Sequence, residues 1–350
     1  MHPFRKLLLV SVGRASSLEK DLTPTEWKRM LIMSQQQALI GVINAAVHRL
    51  PASQQPPAEI LYNWDLLSLK IEQLYERHEK RVAELEGVLE RLGLNGCILK
   101  GTGLARLYPE PGRRQCGDID LWIRGSRKEI IEAFSKDYGI HGILYQECKA
   151  DIFDDTIVEL HFHPTKMYNP FCNARFQRWA ESNSPISDEA TLTYPDAEFN
   201  AVFCLAHMYR HYLAGGLGLR QMMDYYYVLR ELPAAGRGPA MQTLKRLGMG
   251  RFAAATMMAL HVNFGLEDEY LLCEPDQKRG RTLITDMIQM GNFGVLDPRH
   301  QHDENETRLA RFIRRNHRTF SYLLLYPREV LWVPFSRLGQ FLWRLFLGYL

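Results

Sequence analysis

RRQCGDIDLWI, residues 113–123, places two aspartates one residue apart inside an apolar run. In a strand, side chains at i and i+2 share a face. Asp118 and Asp120 therefore point one way, while Ile119, Leu121 and Ile123 point toward a core. Two carboxylates held that close repel unless a cation lies between them or one takes a proton. An isolated DxD also fits an edge strand or turn facing water, so the surrounding sequence decides its meaning.

Working outward, GCILK at 96–100 is a short apolar strand that runs into a Gly-Thr-Gly turn, followed by a helical turn stopped at Pro109. SRKEIIEAFSKDYG at 126–139 reads as an amphipathic helix capped by Ser126 and closed by Gly139. ILYQECKADIF and TIVELHFHP then read as two strands of a hairpin, joined through Asp154 and Asp155 and ended by Pro164. Glu159 stands alone between Val158 and Leu160, so it projects from the face opposite its apolar neighbours.

Helical periodicity dominates both flanks. Apolar residues from Trp27 to Ile43 predict a helical span over 25–50 closed at Pro51, and PASQQPPA is a linker. A long helix is expected from Glu59 to Leu92, ending at Gly93. Past Pro164, helices are expected at about 195–213, 219–231, 239–247, 250–264, 280–290 and 306–326. The fold class is therefore α+β: a small mixed sheet embedded between N-terminal and C-terminal helical segments. The expected organisation is a helical region over 1–93, an α/β core over 94–190 and a helical domain over 191–350.

With 350 residues, 46% hydrophobic and 24% charged, the chain has the composition of an ordinary globular protein. A net charge of +3 is too small to imply nucleic-acid binding by electrostatics, and no basic stripe points to DNA or tRNA. Six scattered cysteines without a CxxC pair argue for a reducing compartment and against a zinc ribbon or disulfide framework. LLLVSV at 7–12 is faintly like a signal peptide, but no small-residue cleavage site follows it, and no run reaches the roughly 20 apolar residues of a membrane span. A cytoplasmic protein is expected.

The ordered set of a Gly–hydroxyl turn, hDhDh and a later lone acid resembles the nucleotidyltransferase superfamily typified by DNA polymerase β. In finer detail, LKGTGLARLYPEPGRRQCGDIDLWI, VELHFHP, AHMYRH and LRQMMDYYYVL are similar to a largely uncharacterised bacterial nucleotidyltransferase family, over residues 30 to 335. The resemblance implies an Mg²⁺-dependent transfer of an NMP from an NTP to a hydroxyl-bearing acceptor, with ATP as the default donor. Asp118, Asp120 and Glu159 would hold two Mg²⁺ ions, with Glu159 also able to act as base. Gly101 and Thr102 would let the backbone and a hydroxyl approach the phosphates; Lys100, Arg113 and Arg114 would supply positive charge, one arginine sufficing. Arg220 and Asp224 belong to the same expected nucleotide site. Thr102 departs from the superfamily's usual Gly or Ser, and the loop from Gly101 to Asp118 is longer than in compact members.

The acceptor class implied is wide: a small molecule, a sugar, a peptide or a protein side chain. Two other readings use the same scaffold, a non-catalytic module binding nucleotide or protein, and a kinase transferring the γ-phosphate.

Other groups read more simply. His161 and His163 beside Glu159 make an HxH that can bind zinc, but no fourth ligand stands at a useful spacing; His161 matches the family's acid-Leu-His pattern and is expected to support the site. His207 and His211 lie four apart on one helix face, as do Arg220 and Asp224, and interhelical bonding is the simpler account. Tyr225, Tyr226 and Tyr227 are read as packing rather than base stacking. The tail from Tyr326 mixes aromatics with Arg328, Arg337 and Arg344; peripheral membrane contact is one use, but packing is preferred because the cations are few.

Overall fold

A computed structural model describes residues 2–297 and 307–347. The chain opens with helices α1 (Pro3–Ser11), α2 (Pro24–Gln36), α3 (Ile40–His48) and the long α4 (Ala58–Leu92). The LLLVSV run belongs to α1, where Leu7, Leu8 and Val10 are buried in the helical core. Thr23 and Glu26 form a capping box at the start of α2, and Gly93, at φ +66°, closes α4.

The helical span expected over 25–50 is broken between α2 and α3. Ala38 takes a φ of +54°, and the neighbouring Gln37 turns its buried amide inward. Gln37 donates to the carbonyl of Met287 and accepts from the N–H of Leu219. A continuous helix would leave those two buried backbone groups without their partner.

The sheet follows: β1 (Gly96–Ile98), the one-turn α5 (Thr102–Ala105), β2 (Ile119–Ile123), α6 (Arg127–Phe134), β3 (Ile140–His141), β4 (Glu147–Ala150), β5 (Val158–His161), α7 (Pro170–Ser182) and β6 (Leu192–Thr193). Strand order is β3-β4-β5-β2-β1-β6. β2 runs parallel to β5 and antiparallel to β1, and β4 runs antiparallel to β5, so the expected hairpin is present. Arg81 of α4 grips Asp155 in the hairpin loop with two hydrogen bonds, 3.0 and 2.9 Å.

Period-2 alternation assigns the two faces. Ile119, Leu121, Ile123, Val158 and Leu160 share a buried cluster with Leu85 and Leu89 of α4 and Ile130 and Phe134 of α6. On the opposite face Trp122 stacks on Phe199, 5.8 Å between ring centres, and belongs to the large helical core. That core is built by α8 (Ala197–Ala214), α9 (Leu219–Glu231), α10 (Ala234–Arg246), α11 (Gly250–Phe264) and α12 (Gln277–Met290), and includes α1 and α3. The observed fold is thus α+β, a small mixed sheet with helical flanks.

α13 (Arg308–Phe320), α14 (Pro327–Val330) and α15 (Val333–Phe346) complete the described chain. The expected helix start at 306 and the tail residues 348–350 lie outside the described residues. Val330 and Val333 are buried and Arg337 bonds to Asn316 of α13, so the tail packs on the helical body. Phe335, Leu338 and Phe341 remain exposed. Among the described residues no helix is long and apolar enough to cross a membrane.

Candidate active site

The parallel register sets Asp120 directly beside Glu159 and Trp122 beside His161. The antiparallel register on the other side of β5 sets Glu147 opposite His161. Three neighbouring strands thereby turn Asp120, Glu159, His161 and Glu147 toward the helical body. Asp118 stands two residues before Asp120 and lines the same cavity, a space of about 440 Å³ closed on its far side by α8 and α9.

Asp120 is 2% exposed, and a carboxylate so buried needs partners. Lys100 Nζ lies 2.7 Å and His161 Nε2 2.9 Å from its Oδ1. Burial works against ionisation of Asp120, but Lys100 and His161 outweigh it and hold the carboxyl well below the usual range. Reciprocally, burial opposes charge on Lys100 and His161, and the carboxylates around them raise both above their ordinary values. Lys100 and His161 thus share one oxygen of a single buried carboxylate.

The remaining acids are frustrated. The charge of Asp120, then burial, raises Asp118. Burial, then Glu147, Asp118 and Asp120, pushes Glu159 up to about 7. Glu147 Oε2 and Glu159 Oε2 stand 3.8 and 3.9 Å from His161 Nε2.

Donor atoms of Asp120, Glu159 and His161 all lie within 4.8 Å of one another. Two carboxylates and an imidazole, with the carboxyl groups of Asp118 and Glu147 lining the same cavity, fit a divalent cation. The oxygen-rich set suits Mg²⁺ or Mn²⁺. Asp118 stands outside this tightest group while sharing the cavity, and His161 joins it. His163 does not; its ring stacks on Tyr145 at 5.0 Å, and burial with Arg127 lowers it to about 4.

The other expected residues divide sharply. Gly101 lines the cavity at φ +54°, ψ −118°, where an added Cβ would meet the Asp118 carbonyl at 3.2 Å. Thr102 is 2% exposed, its hydroxyl has no partner among the described residues, and it is not part of the cavity wall. Arg114 turns inward and clamps Asp224 with two bonds of 2.7 and 2.8 Å, while Tyr108 donates to the same carboxylate at 2.7 Å. Arg114 also donates to the Gly101 carbonyl at 3.0 Å, so its charge is committed to holding the turn against α9.

Arg113 turns the opposite way, to Glu72 at 2.6 Å and to Ser68 and Asn44, outside the cavity. Arg220 lines the cavity, donates to the Gln115 carbonyl at 2.7 Å and leaves its Nε without a partner. Burial and the nearby Arg114 pull Arg220 below its ordinary value.

His207 and His211 also line the cavity, their ring centres 4.3 Å apart. Burial, reinforced by Lys100 for His207 and by Arg210 for His211, keeps both neutral. Tyr225, Tyr226 and Tyr227 are buried as core packing. Glu147 and Arg210 were not singled out in the sequence: each becomes visible only once β4 is registered on β5 and α8 is laid over the sheet.

The sequence model of a family described as an uncharacterised nucleotidyltransferase matches residues 23–265, well over half of the 350-residue chain. No curated protein and no solved structure matches. The chain belongs to that nucleotidyltransferase family, and the matched span contains each of the cavity residues from Lys100 to Asp224.

Proposed function

We propose that this member of the nucleotidyltransferase family transfers an NMP from an NTP to a hydroxyl-bearing acceptor, with Mg²⁺ as the metal and ATP as the default donor. The observation that carries the reading is the convergence of Asp120, Glu159 and His161 within 4.8 Å on adjoining strands, with Asp118 in the same cavity. When bound, two Mg²⁺ ions would offset phosphate charge and lower the pKa of the attacking hydroxyl.

In this reading Asp118, Asp120 and Glu159 supply the oxygen ligands, and His161 either adds a nitrogen or orients Asp120. The acceptor oxygen forms a bond to the α-phosphorus as the bond to the bridging oxygen breaks and pyrophosphate leaves. Glu159 is the carboxylate this reading assigns to take the acceptor's proton. Lys100 and Arg220, which both line the cavity, contribute cationic charge to the triphosphate. The Arg114–Asp224 clamp keeps the Gly101 turn in place, which supports a positioning role for that pair.

The test is incubation with Mg²⁺, each NTP labelled at the α-phosphate and cell extract as acceptor, beside Asp120→Asn and Glu159→Gln variants. Label transferred by the wild type and lost in both variants is the expected result. Release of ADP instead of pyrophosphate would make the protein a kinase, and metal-dependent binding without either product would make it a nucleotide-binding module.

A further inference from the structure

A second cavity, about 620 Å³, adjoins the first; Arg210, His211 and Phe293 line both. Its outer wall comes from α13 and α15, which lie beyond the residues matched by the family. Lys166, Arg210, Arg315 and Arg337 face it, and among the described residues no aspartate or glutamate lines it. Lys166 is 9% exposed and, among the described residues, its hydrogen bond goes to a neutral partner, Gln340 Oε1 at 2.6 Å. Arg337 likewise bonds Asn316 at 2.9 Å and Thr319 at 3.2 Å.

Cations so placed repel one another. Burial, then Arg210, outweighs the carboxylate of Glu147 and, with Arg337, brings Lys166 down to about 8, and burial with Arg315 and Arg318 nearby brings Arg337 to about 10. Lys166 is buried, Arg210 and Arg337 are half-buried and Arg315 is exposed, and cations partly withdrawn from water favour a counter-charge that joins them.

Gln146 gives an independent sign of a ligand. It lines this cavity at 1% exposure, and among the described residues neither its amide nitrogen nor its amide oxygen has a partner. Its backbone is fixed, the carbonyl accepting from Phe162 at 2.8 Å. A fully buried amide with both ends empty is expected to meet a polar group that enters the cavity.

We infer that the second cavity is the acceptor site and that the acceptor carries a phosphate group, held by Lys166, Arg210, Arg315 and Arg337 with Gln146 beside it. The inference rests on reading the first cavity as the NTP site. A phosphate lodged among these cations would leave the acceptor's hydroxyl to reach past Arg210 and His211 toward Glu159. The family's matched span then supplies the transfer chemistry, and the C-terminal helices select the acceptor.

The experiment is equilibrium binding of inorganic phosphate in low-chloride buffer, with and without a saturating α,β-methylene analogue of the NTP and Mg²⁺. Wild-type protein is expected to bind phosphate in both conditions. Arg315→Ala, at an exposed position, should weaken binding about threefold, and Arg315→Ala/Arg337→Gln about tenfold or more. Gln146→Leu is expected to weaken it in the absence of any charge change.

Absence of phosphate binding, or binding indifferent to the Arg315, Arg337 and Gln146 variants, would overturn the inference. Binding abolished by the NTP analogue would also overturn it, because the cations would then serve the donor's own triphosphate. Failure of nucleotidyl transfer alone leaves the phosphate measurement standing, so the two readings fail separately.

Discussion

Asp120 and Glu159 stand side by side on two parallel strands, in direct register, with the same imidazole reaching toward both. The pairing is a property of the sheet, not of a loop, so the distance between the two carboxylates is set by backbone hydrogen bonding. Asp118 precedes β2, and its carbonyl lies close against the Gly101 turn. The site thus has a rigid half and a half that a turn must hold.

Metal binding should follow that division. Mg²⁺ or Mn²⁺ is expected to raise the melting temperature of the wild type, by about 2.7 kcal/mol of stability at a hundredfold excess over Kd. Asp120→Asn and Glu159→Gln should abolish the rise, whereas Asp118→Asn should reduce it. A full metal-dependent shift surviving in Glu159→Gln would remove that residue from the ligand set.

The adjacent arginines should behave as strangers. Arg114 and Asp224 are a buried, doubly bonded pair, and removing one partner leaves an uncompensated charge. Asp224→Asn is expected to cost roughly 3–5 kcal/mol in urea denaturation. Arg113 is half-buried and shares Glu72 and Glu110, so Arg113→Ala should cost on the order of 1 kcal/mol or less. Equal costs at the two positions would mean that the inward and outward orientations are misassigned.

That contrast also marks where the sequence was readable. Alternation in DIDLWI and VELH separates the face of the acids from the apolar face, and Ser126 and Gly93 mark helix ends, because those signals are local. Arg113 and Arg114 were indistinguishable by chemistry; which one turns inward depends on Asp224, 110 residues away. Glu147 was passed over for the same reason, since its place beside His161 exists only through strand pairing. β3 and β6, two residues each, have too few positions to show a period, and α7 follows the Pro164 stop with only its Asn169 cap to announce it.

Gly101 tests the turn itself. Its φ and ψ lie where only glycine is comfortable, and a Cβ would press on the Asp118 carbonyl. Gly101→Ala is expected to cost roughly 1–3 kcal/mol in stability and to weaken metal-dependent nucleotide binding through Asp118. Calorimetry with Mg²⁺ and an NTP analogue reads the second effect; unchanged affinity in a destabilised variant would show that Asp118 is held by something else.

Glu329 provides a pH-dependent test of how the C-terminal helices are anchored. It is 3% exposed, and its carboxylate accepts from the Tyr168 N–H, while Asn169 donates to the Arg328 carbonyl at 3.0 Å. These bonds fasten α14 to the segment that carries Lys166 and starts α7. Burial raises Glu329 from 4.5 to about 7, although the Tyr168 and Asn169 amides and Arg328 pull it back. Because the folded value lies above the unfolded one, the folded state holds the proton longer. The associated stability is present below about 4.5 and is lost as pH rises through about 7. Glu329→Gln keeps an acceptor for Tyr168 and removes the ionisation. Its stability relative to wild type should therefore improve by up to roughly 3 kcal/mol between pH 5 and pH 8.5, whatever the offset at low pH. Urea melts at the two pH values measure the difference directly. A variant that tracks the wild type at both would mean that Glu329 ionises normally in the fold and that α14 is looser than its buried carboxylate implies.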